Sequence, residues 1–288
     1  MKKENLNQLV SALESRYPDA KVIVKDIVKN NNTVLTGISI LEEGQNIVPN
    51  IYLEGLRSET VASAVEEYVQ IYEASKNPSV DVSKIYYWNQ IKDSITARLV
   101  NYEANKEMLQ DIPYIKIGNL AKIFNIEVSA GFGCIGSIIV NNDLMGIWEV
   151  VTIEDLDEVA KDNALDIPIE DMADMFKNTF PYPIRRGYMY ISGRKNPIYE
   201  AISILYPTFP EKVKETIGCN AYVIPSSVHE CILVPEHFGP AEEIEPMISM
   251  VNTNNVAPEE VLSDTLYFID VEKRRLSYAE SGEVIYVY

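Results

Sequence analysis

Along the first hundred residues, apolar positions fall into three alternating patterns. Leu6, Leu9, Val10 and Leu13 recur at helical spacing until Tyr17 and Pro18, where proline cannot continue the backbone ladder, and this predicts a first helix. Lys21 to Val28, Thr33 to Leu41 and Asn46 to Leu53 are rich in β-branched residues and separated by Asn30-Asn31-Asn32 and Glu42-Glu43-Gly44, which predicts an antiparallel meander. Ser58 fits an N-cap for a helix carrying Val61, Val65, Tyr68 and Tyr72 on one face, with Pro78 at its exit. Ile85, Trp88, Ile91, Ile95, Leu99 and Tyr102 then advance by three or four, which predicts a long amphipathic helix reaching about Leu109.

Asp111-Ile112-Pro113 is the strongest breakpoint, because a residue before proline is pushed out of the helical region. A junction there separates an N-terminal domain, 1–111, from a C-terminal one, 112–288. In the second part, strands are expected at Tyr114 to Ile117, Leu120 to Val128, Cys134 to Val140, Tyr188 to Ser192, Ala221 to Ile224, Glu230 to Val234, Thr265 to Asp270 and Glu283 to Tyr288. Thr152 with Asp155 forms a capping-box signature ahead of Ile153, Leu156, Val159 and Ala160, and Ile169 to Phe176 reads as a further short helix. Thr208 and Glu211 bracket another capping box, with Pro210 in the first turn and Gly218 where a terminating glycine belongs. A helix is also expected over Ala241 to Val251. Helices and strands in mixed order give the fold class α+β, with an N-terminal meander and helices followed by a mixed C-terminal domain.

Composition sharpens the picture through charge. The 288 residues carry 25 Lys+Arg against 43 Asp+Glu, a net −18. Glu149 to Asp174 contains ten acidic residues against Lys161 alone, and Glu236 to Asp264 contains seven acids and no Lys or Arg. Between them Lys177, Arg185, Arg186, Arg194 and Lys195 form a basic stretch free of acids. A field of this sign repels nucleic-acid backbones and anionic membranes over a Debye length of about 8 Å at cellular salt, so neither is an expected partner and a basic protein is. No secretory leader or membrane-length apolar run is evident, which places the chain in the cytosol. Cys134, Cys219 and Cys231 lack metal or redox spacing and read as reduced thiols, and two histidines argue against a metal site.

Candidate chemistry is sparse. Gly131-Phe132-Gly133 with Gly136 lacks the third glycine of a dinucleotide fingerprint and runs into the β-like Ser137 to Val140, so no cofactor is expected. Within Ile224-Pro225-Ser226-Ser227-Val228-His229-Glu230 a hydroxyl, an imidazole and a carboxylate lie close together. These are the parts of an acyl-transfer site, in which histidine takes the serine proton and the carboxylate fixes its tautomer. Ser226, Ser227, His229 and Glu230 are therefore the catalytic candidates. The competing reading is a strand-to-strand turn in which the serines bond backbone groups, since no nucleophile elbow is present. Arg185-Arg186, between Tyr182 and Tyr188, could clamp a phosphate or carboxylate by bidentate bonds, or pair with the preceding acids. Asp155, Glu158 and Asp162 fall on the expected acidic helix and are the binding candidates for a basic partner.

Several segments taken together, Arg98-Leu99-Val100-Asn101-Tyr102 with Asn105-Lys106-Glu107, Leu205-Tyr206-Pro207, Ile224 to Glu230, and Val261-Leu262-Ser263-Asp264, resemble in order a domain-of-unknown-function family of anaerobic gut Firmicutes. The resemblance covers about residues 40 to 276, and extends distantly to a second, bacillary family with the same strand, tyrosine-proline helix and serine-bearing turn. It implies a cytosolic protein from mobile-element or accessory neighbourhoods and carries no catalytic residue with it. The expectation is a non-catalytic macromolecule-binding or regulatory protein. The alternatives are a hydrolase using Ser226 or Ser227 with His229, and an acidic mimic of nucleic acid that occupies a basic protein.

Overall fold

The computed structural model describes residues 3–43, 48–75, 83–129, 135–177, 185–194 and 198–288. The chain divides into two compact units, Met1–Val82 with Val128–Gly136, and Ser83–Glu127 with Ser137–Tyr288. Asp111 to Pro113 lies inside the second unit. Cys134 and the Gly131 to Gly133 segment fall outside the described residues, whereas Gly136 sits within a strand.

The first unit joins helix α1 (Leu6–Arg16), strands β1 (Lys21–Val28), β2 (Val34–Leu41) and β3 (Ile51–Tyr52), and helix α2 (Val61–Ser75). The strands form an antiparallel sheet in that order. The β1–β2 turn uses Asn31 and Asn32 in the left-handed region (φ 59° and 53°), which asparagine tolerates better than most residues. Leu9 and Leu13 from α1, Ile38 and Ile40 from β2, and Ala64, Tyr68 and Tyr72 from α2 make its core. Tyr68 is wholly buried and satisfies its hydroxyl on the Ile38 carbonyl at 3.0 Å. Thr60, not Ser58, caps α2 by accepting from the Ser63 amide, because Ser58 donates both its amide and its hydroxyl to Glu67.

In the second unit the expected long helix over 85–109 does not form. A short α3 (Trp88–Ile91) is followed by strand β4 (Ile95–Asn101). β4 pairs with β6 (Leu120–Ser129) from Ile95↔Ile126 to Asn101↔Leu120, and β5 (Tyr114–Ile117) and β7 (Ile135–Ile139) pair with β6 as well. The cause is burial on both faces. Leu99 faces one core, while Val100 joins Leu109, Ile112, Ala121 and Ile123 in another. A strand covered on two sides need not alternate apolar with polar residues, and the spacing of Ile91, Ile95, Leu99 and Tyr102 satisfies the helical template although the chain is extended from Ile95.

Helices α4 (Asn142–Trp148) and α5 (Ile153–Asp162) follow. The expected box at the start of α5 is present, with Thr152 and Asp155 bonded reciprocally. Where a helix is expected from Ile169, β8 (Ile169–Asp171) leads into a single turn, α6 (Met172–Met175), capped by the Asp171 carboxylate. Next come β9 (Tyr190–Ser192), α7 (Phe209–Thr216), β10 (Ala221–Ile224), β11 (Cys231–Pro235), α8 (Ala241–Asn255), β12 (Tyr267–Asp270), β13 (Arg275–Tyr278) and β14 (Val284–Val287). The strands form an antiparallel sheet ordered β14-β13-β12-β10-β11-β9-β8. Residues 200–213, with Leu99, Ile117 and Leu120, cover one face through a core including Phe209, Val223, Leu233, Tyr267 and Ile269. Ile244 and Ile248 of α8 cover Ile224, Val234 and Leu266 on the other. The α7 helix forms as expected with Gly218 at φ 86°, but Thr208 makes no side-chain cap, and Glu211 pairs instead with Arg274. The fold is α+β.

Candidate functional site

The segment linking β10 to β11 holds the serine-histidine candidates. It is pinned to the chain after α8 by backbone bonds: Val228 N–H donates to Glu260 O at 2.8 Å, Leu262 N–H to Ser226 O at 3.1 Å, and Ser263 N–H to Pro225 O at 3.0 Å. This pairing places Ser226 and Ser227 in the interior, 3% and 4% exposed. Ser227 Oγ accepts from the backbone N–H of His229 at 3.0 Å, the bond of a serine turn.

The imidazole of His229 looks elsewhere. Its Nδ1 accepts from the Tyr199 amide at 3.2 Å, which puts the ring proton on Nε2, and Nε2 lies 3.4 Å from Glu260 Oε1. General-base activation of a hydroxyl needs an imidazole nitrogen free to face it. Both ring nitrogens here face the Tyr199 amide and the Glu260 carboxylate, and no described hydrogen bond joins the His229 imidazole to the Ser226 or Ser227 hydroxyl. Around the ring the fold gathers a polar cluster. Tyr199 holds a left-handed backbone (φ 56°) and lies 5.3 Å from the His229 ring centroid, with the Arg98 guanidinium 4.5 Å from the tyrosine ring centroid. Glu200 is buried, and its carboxylate accepts from the Arg194 amide at 2.8 Å and pairs with the Arg194 guanidinium. Burial pushes the Glu230 carboxyl above its usual pKa, with the Glu260 and Glu200 charges adding to the rise and His229 opposing it. Burial likewise lowers the Arg98 guanidinium, whose Nε has no hydrogen-bond partner. Among the described residues no group of three or more His, Cys, Asp or Glu is placed to hold a metal.

The acidic candidates lie on α5. Leu156 and Ala160 face the interior, and Glu154, Asp155, Glu158 and Asp162 face water. Asp155 has a structural task too: its carboxylate accepts from the Thr152 amide and hydroxyl, both at 2.8 Å, and these bonds hold its pKa below the usual carboxylate range. Glu154, Glu158 and Asp162 take part in no ion pair among the described residues. Asp157 turns inward and anchors the helix. It pairs with Lys122, a β6 lysine only 7% exposed along its side chain, and with Lys161 at 2.7 Å. Arg186 pairs with Asp174 and Arg185 is exposed, so the acids preceding this pair already engage half of it.

Lys122, Arg98 and Tyr199 escape the sequence reading. Lys122 left a signal, since strand alternation puts it on the same face as Leu120 and Phe124, where a lysine requires a buried counter-charge. The left-handed turn at Tyr199 left none.

These features define an α+β protein of two compact units whose second unit carries an anchored acidic helix and a partly buried His-Glu-Arg cluster. The chain belongs to DUF5688, a family of unknown function, which it matches over residues 2–270. No curated protein and no solved structure matches it. Among the described residues no helix is long and apolar enough to cross a membrane.

Proposed function

We propose that this is a non-catalytic binding or regulatory protein of the cytoplasm that engages a basic protein partner through its acidic surface. The observation that carries the reading is α5: Asp157 turns inward to the buried Lys122 as the helix's anchor, and Glu154, Glu158 and Asp162 stand in water without ion pairs among the described residues. Carboxylates left uncompensated raise the local negative potential, which speeds encounter with a basic surface and rejects acidic ones. The net charge of −18 acts in the same direction at longer range. A hydrolase gains no support from His229, whose ring nitrogens face Tyr199 and Glu260.

The test is affinity purification of the tagged full chain from a bacterial lysate at low salt, eluted by raising salt, with a nuclease-treated parallel. A basic protein released stoichiometrically by salt, with or without nuclease, supports the reading. Retention of nucleic acid, or of nothing at low salt, contradicts it. A release that is unusually steep in salt favours the narrower idea of a nucleic-acid mimic.

A further inference from the structure

Resting on that reading, we infer that the corner built on Trp88 and Trp148 is where a basic, amphipathic segment of the partner docks. Both tryptophans belong to the second unit, their ring centroids 5.4 Å apart, and Trp148 Nε1 donates to the Ile85 carbonyl at 2.9 Å. Within two residues of this contact, four large apolar side chains stand in water: Tyr86 (51% exposed), Tyr87 (60%), Ile147 (49%) and Val150 (84%). Single exposed apolar residues are ordinary, whereas several clustered around a tryptophan contact mark a binding surface.

The backbone supplies a second, independent observation. Glu149, directly after α4, holds φ 50° and ψ −51°, and the Val150 amide donates to the Trp148 carbonyl at 2.6 Å. This is a γ-turn in its strained form, at a residue that is not glycine. Its consequence is to point Val150 outward while Val151 is buried. Neither the strain nor the exposed valine improves the free protein. A partner covering Val150 would recover the apolar burial.

Charge selects the occupant. Asp143 lies one helical turn before Ile147 on the exposed side of α4, Glu149 adjoins Val150, and Glu154 opens α5. From residue 123 to residue 160 the sequence contains no Lys or Arg. The chain around the tyrosines carries two cations, Lys84 and Lys92, and Lys161 of α5 is already paired with Asp157. The arrangement suits a helix that lays leucine-like side chains on Tyr87, Ile147 and Val150 and directs lysines or arginines toward α4 and α5. A second copy of this chain would set these acids against their own kind.

Trp88 and Trp148 are the only two tryptophans, so intrinsic emission reports on this corner alone. The probes are a short helical peptide of leucine and lysine and an oligolysine of equal charge, titrated into the full chain. The expected result is a blue-shifted emission and binding about tenfold tighter for the leucine-lysine peptide. The double variant Ile147→Ser, Val150→Ser, at exposed positions that leave folding intact, should lose that preference and keep its oligolysine affinity. If the two peptides bind alike with unmoved emission, or the double variant keeps the preference, the docking site is wrong and the acidic-surface reading stands. Failure of both peptides to bind removes both. Concentration-dependent self-association abolished by the double variant would assign the corner to a second copy and overturn the inference.

Discussion

Replacing Asp157 with asparagine tests how the acidic helix is held. Lys122 is 7% exposed along its side chain and Asp157 18%, and the two pair directly. Burial pulls the Lys122 ammonium below its ordinary pKa against the opposing attraction of Asp157. Burial pushes Asp157 up, but hydrogen bonds from Lys122 and Lys161 outweigh it and hold the carboxyl below the usual range. The two partners respond differently because Lys122 is the more deeply buried. Removing one member of a buried pair costs about 3–5 kcal/mol, because the other charge is left in the interior. Asparagine keeps one acceptor for Lys122 and the site is open on the Asp157 side, so Asp157→Asn should cost about 3 kcal/mol. Lys122→Met leaves Asp157 with Lys161 at 2.7 Å and should cost about 1 kcal/mol or less. The double variant should recover most of the loss.

The pH dependence of this variant has a definite sign. A lysine whose folded pKa lies below its unfolded value binds fewer protons when folded, so stability rises with pH between those two values. Without Asp157 the folded value drops further, and the deficit of Asp157→Asn should narrow as pH climbs from neutrality toward about 10. The assay is urea unfolding followed by far-ultraviolet circular dichroism across that range. A loss under about 1 kcal/mol, or a greater loss for Lys122→Met than for Asp157→Asn, would refute the anchor.

Three further outcomes follow from particular contacts. Ser227→Ala should lower stability by about 1–3 kcal/mol in denaturant titration, since it strips the His229 amide of its acceptor in a buried turn; an unchanged midpoint would show that the bond contributes nothing. Glu149→Gly should leave stability unchanged or raise it by about 1 kcal/mol, relief of the strained turn offsetting the extra entropy of glycine in the unfolded chain; a loss of that size would deny the strain. In a Cys134→Ser background, Cys231, wholly buried and with its thiol raised by that burial, should react with a disulfide reagent only on unfolding, and the partly exposed Cys219 beforehand. Equal native rates for the two thiols would contradict that burial.

Legibility in the sequence followed locality. The α5 capping box, the asparagine turn between β1 and β2 and the glycine ending α7 depend on residues within a few positions of one another, and all three stand as read. What failed depended on distant partners. β4 is a strand because Ile95 to Asn101 pairs with Leu120 to Ile126 and is covered on both sides, and no periodicity within 95–101 reveals this. β13 went unread because Lys273-Arg274-Arg275 looks like an exposed turn, although Arg275 opens a strand between β12 and β14. The candidate site shows the same division. The acidic face of α5 could be read directly, and the roles of Asp157 as anchor and of Tyr199 as a partner of His229 required chain segments roughly 30 residues apart to meet.

The most direct test of the central claim is the salt dependence of binding of a fluorescently labelled oligolysine to the full chain and to the triple variant Glu154→Gln, Glu158→Gln, Asp162→Asn. These three positions are exposed, and the variant leaves the Thr152–Asp155 cap and the Asp157 anchor intact. If α5 is the binding face, the wild-type affinity falls steeply with salt, and the variant binds more weakly with a visibly shallower slope. Equal affinities and equal slopes for the two proteins would contradict the account.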